Sequence, residues 1–330
     1  MTLRGGFSSF DPKHGAAKRH LGRAANALFT TYLGTIMKLS TIVLASSLCG
    51  LASFTAHSAP TKADVVVIMD ESGSMAGEQS WIPGAMSQLD TGLIAAGLTD
   101  GNRFGLVGFG ASAAPAPAKT RSFTVGGGQF GTAAQFGTAA AGLQVTGSTE
   151  DGWAGITLAN TYSFASGAAR NYILVSDEDR DTALNTLTYA GVLASMTSTN
   201  TLLNAVVNGT FKCGDNSAAL GMIGTTGYKT GAGGSFSTCS GASFVSGAGT
   251  TGLNYVNLAI ATGGGAWTLN ILRAGGNNAL SFTNAFVSGK VQEITVTPAI
   301  PEPETYALML AGLCAVGVVA RRRSKSATEV

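Results

Sequence analysis

Asp64-Val65-Val66-Val67-Ile68-Met69-Asp70-Glu71-Ser72-Gly73-Ser74 joins an apolar run to a polar loop without a transition. Five apolar side chains in a row, with no alternation, predict a strand buried on both faces, as in a parallel sheet covered by helices. The abrupt change at Asp70 to acids, hydroxyls and glycine marks the strand's carboxyl end. Taken alone, Asp-x-Ser-x-Ser in a Ser-rich chain also reads as an ordinary turn or a helix N-cap. Directly after a buried strand it gains weight as a set of hard oxygen ligands.

Beyond this strand, residues 79–98 carry apolar positions at Ile82, Met86, Leu89, Leu93 and Ile94 and predict a helix. Arg103–Phe109, 171–176 and Leu202–Val207 predict strands, with 121–125 a short edge strand and 267–272 a closing one. Helices are expected over 133–143, 152–162, 181–195, 255–261 and 279–286. Strands alternating with helices predict the α/β class: a doubly wound, mostly parallel, Rossmann-like sheet with helices on both faces, within residues 60–298. In such sheets ligands gather at the carboxyl ends of the strands. Asp70, Ser72 and Ser74, then Thr149 in Gly147-Ser148-Thr149-Glu150-Asp151, then Asp177 all fall at or near that edge. Carboxylates and hydroxyls suit Mg²⁺, Mn²⁺ or Ca²⁺ better than zinc. Glu150 and Asp151 are expected as acids complementing a helix N-terminus, and Asp179 to Asp181 as a solvated helix start with Arg180 as partner. Trp81, Trp153 and Trp267 are expected to pack in the core or at its rim, with Trp153 the nearest to Thr149.

Charged residues make up 12% of the 330, and glycine is abundant at 46, which fits a compact extracellular domain better than a disordered chain or a cytosolic enzyme. The net charge of +2 is unevenly spread. Residues 60–300 hold ten basic and fourteen acidic side chains, so the basic patch a nucleic-acid partner requires is missing.

Both ends read as addresses. Met37-Lys38, the apolar run 39–54 and the small residues before Pro60 have the order of a secretory signal peptide over 37–59, implying passage through the Sec machinery. Residues 1–36 are expected to be a start-site artefact ahead of Met37, with a long signal n-region as the alternative. At the other end, Pro301-Glu302-Pro303-Glu304 precedes the apolar run 305–320 and then Arg321-Arg322-Arg323. That run is short of the roughly 20 residues that span hydrocarbon, yet its arginines fit a membrane stop with a cytoplasmic basic end. These three parts, over 299–330, resemble the PEP-CTERM sorting signal of Gram-negative bacteria. The resemblance implies processing by an exosortase, transient anchorage in the inner membrane through a transmembrane helix, and delivery to the surface or extracellular matrix. A plain membrane anchor is the alternative.

With both ends removed, two of the four cysteines remain, Cys213 and Cys239, and an exported chain predicts one disulfide between them, closing a Gly/Ser-rich loop insertion. All three histidines (His14, His20, His57) precede the expected cleavage point, so histidine-based triads and zinc sites are excluded from the mature domain.

Asp70, Ser72, Ser74, Thr149 and Asp177, in that order, resemble the metal-ion-dependent adhesion site of the von Willebrand factor type A domain; Ala261-Thr262-Gly263-Gly264 before the last strand is also similar. The resemblance spans roughly residues 63–295. It implies that Ser72 and Ser74 ligate a divalent cation directly, Thr149 in some ligand states, and Asp70 and Asp177 directly or through water. Glu178 departs from the glycine usual after the second aspartate. Its extra charge is expected to shift preference toward Ca²⁺; competitive titration with Mg²⁺ and Ca²⁺ checks this, and equal affinities would refute it. The resemblance implies a non-enzymatic adhesion module for an acidic protein or polysaccharide ligand. The alternatives are a structural matrix protein whose metal only stabilises the fold and, ranked last, a metal-assisted hydrolase.

Overall fold

Strand β1, Lys62–Asp70, is buried from Ala63 onward and sends alternate side chains to opposite faces of the sheet. Val65, Val67 and Met69 enter one core, whereas Val66 and Ile68 enter the other. A strand covered twice needs no polar alternation, which is why its sequence is continuously apolar. The computed structural model that shows this describes residues 59–297, together with 312–314, 316 and 317. Residues 1–36, all but the last residue of the expected signal peptide, and the sorting residues Pro301, Glu302, Pro303, Arg321, Arg322 and Arg323 lie outside the described residues. Among those described, no helix is long and apolar enough to cross a membrane.

After β1 come helix α1 (Ala76–Ala95), strands β2 (Arg103–Phe109) and β3 (Thr120–Ser122), and helices α2 (Ala133–Ala140) and α3 (Gly152–Ala159). Strand β4 (Ala168–Ser176), helix α4 (Tyr189–Thr197) and strand β5 (Leu202–Val207) follow. Six short strands come next: β6 (Gly209–Lys212), β7 (Ala218–Ala219), β8 (Gly221–Ile223), β9 (Thr226–Thr230), β10 (Phe236–Cys239) and β11 (Ser243–Gly247). A π-helical turn leads into α5 (Asn257–Ala261), then β12 (Gly265–Thr268), α6 (Leu269–Arg273) and α7 (Gly276–Val296) close the domain.

The main sheet has the order β10-β9-β8-β12-β5-β4-β1-β2-β3, in which β12, β5, β4, β1 and β2 are mutually parallel. Antiparallel strands extend both edges. From β1 the chain winds one way to β2 and β3, then returns to β4 and winds the other way. This is a doubly wound α/β sheet with its switch point between β1 and β4. Ile82, Met86, Leu89 and Leu93 of α1, Phe136 of α2 and Phe282 and Phe286 of α7 cover one face. Trp153 and Ile156 of α3, Met196 of α4 and Leu258 of α5 cover the other.

Three expectations require correction. No helix starts at Asp181, because Asp179, Arg180 and Asp181 are held by tertiary partners and α4 begins only at Tyr189, capped by the Thr188 hydroxyl. The closing strand stops at Thr268, and Leu269–Arg273 turns into a helix. The last helix is far longer than 279–286, since its apolar face continues through Ile294.

Cys213 and Cys239 are bonded, with Cα atoms 5.9 Å apart. The region between them forms paired strands rather than the loose loop expected. The bond ties the small β11-β6-β7 sheet to β10 at the edge of the main one. Gly227 lies against both sulfurs, where a Cβ would come within 2.6 Å of Cys239 Sγ. Closing a 26-residue separation restricts the unfolded chain, so Cys213→Ser with Cys239→Ser is expected to cost about 3 kcal/mol, read by urea unfolding.

Candidate metal centre

Asp70 ends β1 and Asp177 follows β4, so the two carboxylates stand at the carboxyl ends of adjacent parallel strands, at the switch point. Asp70 Oδ1 accepts the Ser72 backbone N–H at 2.8 Å, a local turn that curls the loop over its own carboxylate. Asp70 Oδ2 accepts the Ser176 hydroxyl at 2.8 Å. The Ser72 and Ser74 hydroxyls lie 3.2 Å apart, and Ser74 donates to Asp177 Oδ1 at 3.0 Å. Asp70, Ser72, Ser74 and Asp177 are therefore brought together.

Thr149 is placed differently. It is half-buried on the loop before α3, with its main chain against Gly110. A Cβ on Gly110 would lie 3.4 Å from both Asp70 Oδ1 and the Thr149 carbonyl oxygen, and its φ of +88° is one that glycine adopts without strain. Among the described residues the Thr149 hydroxyl makes no hydrogen bond to the other four.

The neighbouring Glu150 enters the cluster instead. Carboxylate oxygens of Asp70, Glu150 and Asp177 all lie within 4.8 Å of one another, and all three residues are buried. The expectation that Glu150 serves a helix N-terminus is corrected, because Asp151 does that alone. Asp151 caps α3 through the Trp153 and Ala154 N–H groups and pairs with Arg180 at 2.6 Å. Asp181 anchors Glu150 further, accepting its backbone N–H at 3.1 Å. Glu150 Oε2 is buried and has no hydrogen-bond partner among the described residues. Burial first, and the Asp70 carboxylate second, push the Glu150 carboxyl up to about 9, with Glu178 adding to the repulsion. Burial likewise raises Asp70, against the opposing pull of its Ser72 and Ser176 hydrogen bonds.

Among the described residues one cation faces this cluster. Arg273, at the end of α6, donates to Asp177 Oδ2 at 2.8 Å, to the Ser74 carbonyl at 3.2 Å and to Glu78 Oε1 at 2.5 Å. No motif announces it, and the unexpected turn into α6 is what carries it there. Glu71, inside the five-residue loop, points elsewhere and is held by Arg121 and the Gln144 N–H. Gly108 makes that possible, since a Cβ there would overlap the Glu71 carboxylate.

The residues present fit a hard cation. Asp70 and Asp177 bring negative charge against one guanidinium, Glu150 becomes a third carboxylate once it gives up its proton, two hydroxyls add neutral oxygen donors, and Glu150 Oε2 has no partner among the described residues. The tryptophans, by contrast, are packing residues. Trp153 lies under Arg180, 4.1 Å from its ring centre, and donates to the Asn254 carbonyl, whereas Trp81 and Trp267 pack edge-on against Phe282 and Phe286.

Comparison with known proteins gives two kinds of likeness. Solved structures similar to this chain include a von Willebrand factor type A protein from Catenulispora acidiphila, at 22% identity and a TM-score of 0.33 over 45% of this chain and 33% of that one. The pilus adhesin SpaC from Lactobacillus rhamnosus GG is 15% identical, with a TM-score of 0.34 over 44% of this chain and 24% of that chain. Proximal thread matrix protein 1 from the mussel byssus is 17% identical, with a TM-score of 0.32 over 45% and 36%. The chain thus spans about a third or less of the first two of these structures. No curated protein matches. Residues 299–323 match the family described as the PEP-CTERM protein-sorting motif, so the α/β domain with its acidic switch-point cluster belongs to a chain addressed for export and exosortase processing.

Proposed function

We propose that the exported domain is a metal-dependent binding module. Asp70, Ser72, Ser74, Asp177 and Glu150 would hold one divalent ion, with Thr149 joining them when a ligand arrives. The ion would supply Lewis-acid charge for an acidic group of an outside protein or polysaccharide. The observation that carries this reading is the convergence of three buried carboxyl groups at the switch point, one of them with an oxygen that no described residue satisfies. Binding is favoured over catalysis because residues 60–300 contain no histidine and the Ser74 hydroxyl is committed to Asp177.

The test is retention of the chain on immobilised polygalacturonate or on a carboxylate-rich protein surface. Retention in Mg²⁺ or Ca²⁺ is expected, with release by EDTA; retention indifferent to EDTA contradicts the proposal. The second reading, a matrix protein with a purely structural ion, is favoured by the close approach of the buried Asp70, Glu150 and Asp177 carboxyls, which an ion would tie together. It predicts that EDTA lowers the melting temperature while no acidic ligand is retained. Hydrolysis ranks last, and turnover of a glycan or peptide substrate that requires the metal would promote it.

A further inference from the structure

A cavity of about 800 Å³ opens at the edge of the sheet opposite the metal centre. The start of β5, the α5–β12 turn, strands β8 to β10 and the end of α7 wall it. Leu202 and Gly263 mark this as the amino-terminal edge of the parallel strands, so the cavity shares no residue with the acidic cluster. We infer that it is a binding site for a neutral sugar residue.

Its size lies in the range of small-molecule sites. Its polar groups are available: the side chains of Asn200, Thr226, Tyr228, Thr238, Ser288 and Gln292 line it and make no hydrogen bond to other described residues. Tyr228 is the most telling. The residue is only 4% exposed, and its ring packs against Trp267 at 5.0 Å and Phe236 at 6.0 Å between centroids. A tyrosine buried this deeply usually gives its hydroxyl a protein partner. Here it has none among the described residues, and Tyr228 lines the cavity, so its hydroxyl is available to a ligand there.

Charge narrows the class. Among the described residues no lysine, arginine or histidine lines the cavity. Its one carboxylate among the described residues, Glu293, has Oε2 held by Lys290 at 2.9 Å and Asn204 at 2.8 Å, whereas Oε1 is buried with no partner among those residues. An anionic ligand would find no counter-charge, which sets this cavity apart from the metal centre. Phe236, Ile223 and Val296 add apolar wall. Hydroxyl and amide groups beside an apolar surface match a pyranose, which carries a ring of hydroxyls and a C–H face.

Saturation-transfer NMR on the exported chain, backed by calorimetry, tests this with glucose, galactose, mannose and N-acetylglucosamine up to about 10 mM, and glucuronate as the anionic control. At least one neutral sugar is expected to bind, unaffected by EDTA or Asp70→Ala. Tyr228→Phe, which removes one hydroxyl, is expected to weaken it about tenfold. Thr238→Trp and Gln292→Ala alter exposed rim positions; the first is expected to abolish binding and the second to weaken it. The inference is overturned if no neutral sugar binds, if glucuronate alone binds, if EDTA abolishes binding, or if Tyr228→Phe and Thr238→Trp both leave it unchanged. Because the metal centre is not involved, failure here would leave the adhesion reading standing, and the converse also holds.

Discussion

Asp70→Ala is expected to lower divalent-ion affinity by about a hundredfold or more. Three separate losses combine at this residue. A carboxylate that faces Glu150 and Asp177 disappears. The Ser72 N–H loses the acceptor that curls the loop. The buried Ser176 hydroxyl loses its 2.8 Å partner. Calorimetric titration with Mn²⁺ measures the change, and an affinity within a few fold of the parent would contradict the assignment. Stability moves differently, because removing one of two mutually repelling carboxyl groups lets Glu150 ionise more readily.

The second large effect is on pH dependence. Metal-free Glu150 keeps its proton up to about 9, chiefly through burial and then through the Asp70 charge. An ion binds the ionised form, so affinity is expected to rise by up to about tenfold per pH unit between pH 6 and pH 8, with proton release on binding. Glu150→Gln should flatten that profile while leaving the fold intact. The metal-free protein is expected to follow the opposite trend. A carboxyl whose folded-state value lies above its unfolded value contributes stability that is fully present below the unfolded value, near 4.5, and is lost as pH rises through about 9. The metal-free melting temperature should therefore fall from pH 5 toward pH 9, and added divalent ion should reverse the fall. Thermal melts with and without EDTA check this, and a pH-independent affinity would show that Glu150 is not a ligand.

The sheet was legible because its signal is local. Val65 to Met69 and the strands Arg103–Phe109 and Leu202–Val207 announce buried strands in their own composition. The loop after β1 and Asp177 after β4 follow from strand ends, and strand ends are where ligands collect in this class. The elements that were misplaced depend on partners distant in sequence. The acids at Asp179 and Asp181 resemble a helix start, yet Thr250 and the Glu150 backbone hold them in a loop. Glu150 and Asp151 look alike in sequence, and only Arg180, 29 residues on, decides which of them caps α3 and which faces the cluster. Arg273 reaches Asp177 across 96 residues, through a turn that periodicity in five residues cannot reveal.

The most direct measurement of the central claim is anomalous scattering from crystals of the exported chain soaked in Mn²⁺. The account predicts one strong peak per chain, within coordination distance of Ser72 and Ser74 Oγ and enclosed by Asp70, Glu150 and Asp177. No peak there, or a peak elsewhere that survives Asp70→Ala, would contradict it.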